Sequence, residues 1–320
     1  MKLVDTVPVI EGGQYKLVGT TDGYEVSING ATWDVLRGMG KKSPGQLDER
    51  ERFLNRMLGE KGRMQEGCSE MRLRGTEGLY VLGVETTDAC NLRCKHCYLG
   101  EKAKLFLRQD AYESSVDDAV ELGAYAVALT GGEALLDRSL FDKIKYARDR
   151  DCKVSLVTNA TLIKEEHAKR FASLGMESMA VSLNGPKKEH EGLYGVDTYE
   201  PALRGLMYLI EAGNKTFVNF NVYEGNVHAI PEFEMFCKSI GVAGLNVSHI
   251  KPVGWGENMK NEIVQEGPRC CGKGGKEQVV IKADGRVVPC VFLNEQTMGS
   301  VYNERFGDIY RRHRSALCQL

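Results

Sequence analysis

Short apolar segments alternate with amphipathic segments from about residue 79 to residue 255 of this chain. The apolar segments have the length and composition of strands, and the amphipathic segments repeat apolar residues at helical spacing. A strand, a helix and a second strand form a right-handed crossover, so the pattern predicts one parallel sheet curved into a partial barrel. The six predicted strands are Tyr80–Thr86, Ala126–Thr130, Val154–Thr158, Met179–Leu183, Phe217–Val222 and Leu245–Ile250.

Glycines mark the ends of four of the intervening helices. Glycine adopts the left-handed conformation of a helix C-cap without steric cost, so a glycine after the last periodic residue predicts where a helix stops. The four predicted caps are Gly123, Gly175, Gly213 and Gly241.

Three cysteines follow the first predicted strand, with three and then two residues between them: Cys90, Cys94 and Cys97. Three thiolates so spaced can bind three irons of a cubic iron–sulfur cluster and leave the fourth iron open to a small molecule. Four-thiolate zinc sites usually pair two Cys-x-x-Cys knuckles, and the chain has no second knuckle. A disulfide bond uses two thiols and would leave the third cysteine of this group unpaired. The spacing favours a cluster, with zinc and unrelated thiols as alternatives.

Polar motifs also follow the next three predicted strands. Gly131-Gly132-Glu133 comes after the second strand, Asn159 closes the third, and Ser182 and Asn184 close the fourth. Ligands of such folds bind beyond the carboxyl ends of the strands. All these residues are therefore expected on one rim with the cysteines.

The cysteine triad followed by Gly-Gly-Glu resembles the radical S-adenosylmethionine (radical SAM) superfamily, over roughly residues 79–255. The resemblance implies a [4Fe–4S] cluster on Cys90, Cys94 and Cys97, with SAM chelating the open iron. It also implies release of a 5′-deoxyadenosyl radical that removes a hydrogen atom from a substrate C–H bond. The protein would position the substrate and exclude quenchers.

The resemblance further implies which rim residues contact SAM. Gly131 and Gly132 allow a close approach of backbone to ligand, and Glu133 would accept hydrogen bonds from the SAM ammonium group. The alternative to SAM binding by Gly131-Gly132-Glu133 is an ordinary strand-to-helix turn. The alternative at Ser182 and Asn184 is a small polar loop. The implied cofactor-binding residues are His96, Gly131, Gly132, Glu133, Asn159, Ser182 and Asn184.

Two positions depart from the family pattern. Ala134 stands where proline usually follows Gly-Gly-Glu. The segment His190–Gly195 resembles a stretch that normally carries an arginine but contains none. A contact from that segment to the SAM carboxylate is therefore not expected.

Residues 256–320 carry a second cysteine pattern. Cys271, Gly285 and Cys290 resemble the opening of the SPASM and Twitch extensions, which bind auxiliary [4Fe–4S] clusters. Asp284-Gly285 predicts a hairpin between Val279–Lys282 and Arg286–Val288. The expected domain is short and Twitch-like, with one incomplete auxiliary cluster. Its candidate ligands are Cys271, Cys290, Cys270 as the alternative to Cys271, and Cys318, for which a plain helical position is equally open.

Residues 1–77 differ in character from the rest. Tyr15–Val18 and Tyr24–Ile28 alternate around a turn, and helices are predicted after Asn29 and over residues 48–58. This small α+β, winged-helix-like module resembles the RiPP recognition element, which captures the leader peptides of ribosomally made, modified peptides. Such modules add the peptide as a strand to a sheet edge. A purely structural cap is the alternative.

Composition restricts the remaining function classes. A net charge of −2 gives no basic face for nucleic acid. No segment approaches the length of an apolar membrane span, and the first residues do not resemble a signal peptide. Ten cysteines without an export signal indicate cluster chemistry in a reducing compartment, so we expect a cytoplasmic protein.

These patterns together predict a radical SAM maturase with three domains: residues 1–77, 78–255 and 256–320. Its expected partners are a precursor peptide and a flavodoxin- or ferredoxin-type reductant, with no nucleic acid and no membrane. The alternative is a small-molecule enzyme of the same superfamily that acts on a tetrapyrrole or an alcohol. An electron carrier or zinc scaffold would leave the rim motifs unexplained.

Overall fold

A computed structural model describes residues 79–263, 274–275 and 277–313, together with the backbone of three strands nearer the amino terminus. The chain divides into two compact units, one of residues 1–80 with 120–125 and one of residues 81–119 with 126–320. No helix in the described segments is long and apolar enough to cross a membrane. The helices expected near the amino terminus, and Cys270, Cys271 and Cys318, lie outside the described residues.

The first unit contains a three-stranded antiparallel sheet. Its strands are β1 (Thr6–Glu11), β2 (Gln14–Gly19) and β3 (Glu25–Ile28), paired in chain order. In the register of β2 and β3, Tyr15 lies opposite Ile28 and Val18 lies opposite Glu25. This pairing confirms the predicted hairpin, and it leaves β1 and β3 as the edges of this sheet.

The second unit contains the predicted parallel sheet. Six consecutive strands pair in chain order, each parallel to the next. The bounds agree with the prediction to within one residue at each end. The strands are β4 (Val81–Glu85), β5 (Ala126–Thr130), β6 (Lys153–Thr158), β7 (Ser178–Ser182), β8 (Thr216–Val222) and β9 (Gly244–His249).

Helices connect these strands, and all four predicted glycine caps adopt positive φ angles, between 65° and 110°. Helix Lys187–Tyr194 was not predicted, because it is short and mostly polar and buries only His190, Leu193 and Tyr194. The helices are α1 (Gln109–Glu121), α2 (Leu140–Arg148), α3 (Glu165–Ser173), α4 (Lys187–Tyr194), α5 (Tyr199–Glu211), α6 (Ile230–Ser239) and α7 (Phe306–His313).

The buried face of α5 differs from the predicted one. The apolar spacing indicated Leu203, Leu206, Met207 and Ile210, whereas the buried residues are Ala202, Gly205, Leu206 and Leu209. Gly205 explains the rotation, because a Cβ at this position would lie 2.1 Å from the carbonyl oxygen of Ala160. The helix therefore packs its smallest side chain against the backbone that follows β6.

The carboxyl-terminal segment continues the same sheet at its other edge. Strand β10 (Gln278–Ile281) pairs in parallel with β4, and β11 (Arg286–Val288) pairs antiparallel with β10, which confirms the predicted hairpin. Strand β12 (Gly299–Ser300) completes a nine-stranded sheet. The end of β10 thus lies beside the end of β4, where the cysteine loop begins. The domain boundary at residue 255 stays a prediction.

Candidate active site

A cavity of about 520 Å³ lies at the carboxyl ends of the parallel strands. Loops and strand ends from β4 to β9 form its wall, together with the segment after β11. Most of the predicted site residues meet there although they are far apart in the chain. The predicted residues on the wall are Cys90, Cys94, His96, Cys97, Gly131, Gly132, Asn159 and Ser182.

The Gly-Gly-Glu turn packs directly on the start of the cysteine loop. The backbone N–H of Gly132 donates to the carbonyl of Thr87 at 2.8 Å, and that of Glu133 donates to Ala89 at 2.8 Å. A Cβ on Gly132 would lie 2.2 Å from the oxygen of Ala89 and 2.4 Å from that of Asp88. Glycine is therefore required at position 132 because two segments of protein backbone approach each other there. The sequence analysis had instead explained this glycine by the close approach of a ligand.

Glu133 lies behind the cavity wall. Its carboxylate accepts hydrogen bonds from the backbone N–H of Asn159 (2.8 Å), the Thr158 hydroxyl (2.8 Å) and the backbone N–H of Leu135 (3.1 Å). Burial raises the pKa of Glu133, and these donors oppose the rise. In this conformation the side chain joins the ends of β5 and β6, and its contact with the SAM ammonium stays a prediction.

Asn159 lies next to the first cysteine. Its amide group points toward the sulfur of Cys90 at 3.9 Å and donates to the side-chain oxygen of Asn91 at 3.0 Å. The backbone N–H of Leu92 also donates to the Cys90 sulfur, at 3.4 Å. Hydrogen bonds to sulfur are one means by which a protein sets a cluster potential. Asn159 is thus placed beside the cysteine sulfur, and its contact with SAM stays a prediction.

The two polar residues after β7 have different positions. Ser182 lines the cavity. Asn184 is inaccessible to solvent; its amide donates to the carbonyl of Asn221 at 2.6 Å, and its oxygen lies 3.5 Å from the Tyr194 hydroxyl. Asn184 therefore holds α4 and β8 together from behind the wall, and its role toward the ribose stays a prediction.

His96 lies in an aromatic and amide environment. Its ring packs edge-on against Tyr194 with centroids 4.9 Å apart, and its Nε2 lies 3.4 Å from the amide nitrogen of Asn221. Burial lowers the pKa of His96 to about 4. The ring is therefore neutral at physiological pH, which suits an apolar contact with an adenine.

Two strands contribute a polar ladder that the sequence reasoning missed. In β8, Val218 and Phe220 are buried, whereas the alternate residues Asn219 and Asn221 line the cavity. The amide of Asn246 on β9 donates to Asn219 at 3.0 Å, and the Ser248 hydroxyl donates to Asn221 at 3.0 Å. We call Asn219, Asn221, Asn246 and Ser248 the amide ladder. The alternation of asparagine with apolar residues in β8 was the available signal.

The charged groups on the wall are basic. Lys102 and Lys251 line the cavity, and no aspartate or glutamate is among the described residues that do so. Both lysines lie in loops and belong to no motif, so the sequence offered no signal for them.

A buried polar network lies behind the cysteine loop. Glu85, at the end of β4, forms an ion pair with Lys282, which follows β10. The hydroxyl of Tyr98 donates to Glu85 at 3.1 Å, and Lys282 donates to Asn294 at 2.7 Å. The rings of Tyr98 and Phe292 pack edge-on 5.6 Å apart, and both line the cavity. The cysteine loop is thus tied to the segment that follows Cys290.

The residues present fit a cluster with one open iron. Three soft sulfur donors share one wall of a cavity, and the Cys90 sulfur already accepts hydrogen bonds. Burial raises the pKa of Cys94 to about 12, so its thiol stays protonated unless a metal stabilises the thiolate. The remaining wall offers room and hydrogen-bonding groups for a ligand of the open iron.

The sequence models of two families match this chain. The radical SAM superfamily matches residues 84–233, which include the triad and every predicted SAM contact. The SPASM iron–sulfur cluster-binding domain matches residues 270–317, which include Cys270, Cys271 and Cys290 but end before Cys318. The chain therefore contains a radical SAM domain and a SPASM domain. Its cofactors are accordingly SAM, a [4Fe–4S] cluster and auxiliary iron–sulfur chemistry in the SPASM domain, as predicted.

Similar proteins differ in their substrates. The AdoMet-dependent heme synthase of Nitratidesulfovibrio vulgaris is 27% identical over 59% of this chain and 53% of its own length. The PqqA peptide cyclase of Granulibacter bethesdensis is 24% identical over 54% of this chain and 47% of its own. The chain thus spans about half the length of these curated relatives. Streptococcus suis SuiB bound to its precursor peptide SuiA shares the fold, with a TM-score of 0.67 and 15% identity over 98% of this chain and 90% of SuiB.

Proposed function

We propose that this radical SAM enzyme modifies a ribosomally made precursor peptide. When bound, the cluster and SAM supply a 5′-deoxyadenosyl radical that removes a hydrogen atom from a substrate carbon. Cys90, Cys94 and Cys97 would hold the cluster, and His96, Gly131, Asn159 and Ser182 would surround SAM. The protein's own task is then to bring one C–H bond of the peptide to the cavity and keep water out.

The observation that carries the peptide proposal is the amide ladder. Its four side chains are neutral and present both hydrogen-bond donors and acceptors to the cavity. A peptide main chain offers the same pairing of N–H and C=O groups at regular intervals. The ladder lies on β8 and β9, whereas the cysteines follow β4. One wall can therefore bind an extended substrate and another can bind the cofactor.

The amino-terminal sheet supports the second part of the proposal, leader capture. Strands β1 and β3 are edges of this antiparallel sheet, and peptide-binding modules extend such edges by one strand. Because SuiB was crystallised with its precursor peptide, its similarity in fold along nearly the whole chain is consistent with this role. The partner would be a leader peptide held at an edge of this sheet.

The test uses reconstituted enzyme, SAM, reductant and short peptides encoded beside its gene. We expect release of 5′-deoxyadenosine and a mass change in one such peptide. Asn246→Leu, which removes the ladder amide without a charge change, should reduce peptide modification far more than SAM cleavage in the absence of peptide. A chain lacking residues 1–67 that still cleaves SAM should lose peptide affinity. Full SAM cleavage with no change in any of these peptides would contradict the proposal.

A second candidate is a tetrapyrrole substrate. The basic cavity wall favours it, since Lys102 and Lys251 could pair with propionate groups and no described lining residue is acidic. Several curated relatives are named as heme or tetrapyrrole enzymes, including the heme synthase above. Incubation with iron coproporphyrin III separates the two candidates. Loss of carboxyl groups from the tetrapyrrole would support the second candidate and overturn the first.

A further inference from the structure

Lys102 has a fixed position in the cysteine loop. Its ammonium group donates to the carbonyl of Leu92 at 3.0 Å, and Leu92 lies between Cys90 and Cys94 in the chain. The same group lies 5.0 Å from the ring centroid of Trp255, a cation–π contact. The side chain is half-buried and lines the cavity. A long, flexible side chain is therefore held from two sides.

The residue that holds Lys102 is itself anchored to the third cysteine. The backbone N–H of Trp255 donates to the carbonyl of Cys97 at 2.9 Å. The preceding residue, Gly254, has a φ of +59°, and a Cβ there would lie 2.6 Å from the same Cys97 oxygen. This packing keeps the lysine charge in a constant position relative to the three cysteines.

The charge of Lys102 acts on the sulfurs. The carbonyl that binds the Lys102 ammonium group belongs to Leu92, two residues from both Cys90 and Cys94, and Lys102 lines the same cavity as all three cysteines. No aspartate or glutamate is among the described residues that line the cavity, although the buried carboxylate of Glu133 behind the wall acts in the opposite direction at Cys90. A cluster held by three thiolates gains one more negative charge when it is reduced, and net charge is one of the factors that set its potential.

We propose that Lys102 is a positioning residue whose fixed positive charge makes the [4Fe–4S] cluster on Cys90, Cys94 and Cys97 easier to reduce. One electron passes from an external reductant, such as dithionite or a reduced flavodoxin, to the cluster. No bond to Lys102 forms or breaks. The inference rests on the radical SAM part of the proposed function and is independent of the substrate.

The test compares three variants as anaerobically reconstituted full-length enzyme. Lys102→Gln removes the charge and keeps a donor for Leu92, whereas Lys102→Arg keeps the charge. Lys95→Met is the matched control, because Lys95 adjoins Cys94 but is exposed to solvent, where water and salt screen its charge. Potentiometric titration followed by electron paramagnetic resonance gives the reduced fraction of the cluster at each potential, and equilibrium dialysis gives the SAM affinity.

For Lys102→Gln we expect about a tenfold lower ratio of reduced to oxidised cluster at a given potential, roughly a 59 mV shift for one electron. Lys102→Arg should restore the wild-type value, and Lys95→Met should stay near it. An unchanged potential in Lys102→Gln at full iron content would overturn the proposal, as would weaker SAM binding without a shift. Failure of the wild-type enzyme to cleave SAM would instead overturn the proposed function.

Discussion

Gly132→Ala is the substitution for which the structure allows the sharpest prediction. The new methyl carbon would lie 2.2 Å from the carbonyl oxygen of Ala89 and 2.4 Å from that of Asp88. Both neighbours are backbone atoms, which cannot move aside as the end of a side chain can. The turn after β5 must therefore separate from the cysteine loop.

The cost follows from the hydrogen bonds that this separation breaks. Two backbone hydrogen bonds join the turn to the loop, from Gly132 to Thr87 and from Glu133 to Ala89. Each contributes about 1 kcal/mol, and forcing an extra carbon into a packed site costs about 1–3 kcal/mol more. We expect the free energy of unfolding to fall by roughly 3–5 kcal/mol, a large part of the roughly 5–15 kcal/mol typical of a domain.

Urea unfolding of the iron-free protein measures this loss, and iron analysis after reconstitution measures the effect on the site. Gly213→Ala is the control for a glycine-to-alanine change without a clash, since a Cβ there meets no atom within 4 Å; unlike Gly132, Gly213 has a positive φ, of 81°. The control should lose roughly 1–2 kcal/mol through backbone strain alone and keep its iron. Gly132→Ala should lose most of its cluster iron. Wild-type stability and iron content in Gly132→Ala would refute the packing argument.

Three further predictions concern the buried charges and the second cluster. Lys282→Met should lower the free energy of unfolding, measured in urea, by about 3–5 kcal/mol, because it leaves the charge of Glu85 buried without its partner. The double variant Lys282→Met with Glu85→Gln should recover part of this loss. No recovery would argue against the ion pair. Burial lowers the pKa of His190 to about 4 from an ordinary value of 6.5. Because the unfolded chain then binds this proton more readily, the free energy of unfolding should be full above pH 6.5 and should fall by up to about 3 kcal/mol as the pH drops toward 4. A His190→Phe variant should show a shallower pH dependence of the free energy of unfolding over this range, and an equal slope would contradict the lowered pKa of His190. Cys290→Ala should lower the iron content and preserve the spectrum and SAM cleavage of the first cluster, whereas loss of both would place Cys290 in the first site.

Local patterns in the sequence were sufficient for most of the barrel. The six parallel strands and the four glycine caps depend on interactions between residues near each other in the chain, namely strand alternation, helical periodicity and backbone conformation. Two features escaped these patterns. Helix α4 is short and mostly polar, and the buried face of α5 is rotated by the contact of Gly205 with Ala160.

The site was predictable where a motif immediately follows a strand. Strand order places such residues on one rim, so Cys90 and Ser182 were predicted on the cavity wall, where the structure places them. Glu133 and Asn184 belong to the same motifs, yet their side chains turn behind the wall, because buried hydrogen-bonding partners lie there. The direction in which a side chain points depends on partners that a motif does not specify.

By itself, the sequence determined the succession of strands and helices and predicted the radical SAM domain and its cluster cysteines, because each of these depends on spacing along the chain. Only the tertiary structure decided the rest of the site. It brought β10 beside β4, so that Lys282 meets Glu85 across nearly two hundred residues of sequence. It also placed Lys102 and the amide ladder on the wall of the cavity that the cysteines line. These contacts join segments that carry no shared pattern, so only the packing of the folded chain reveals them.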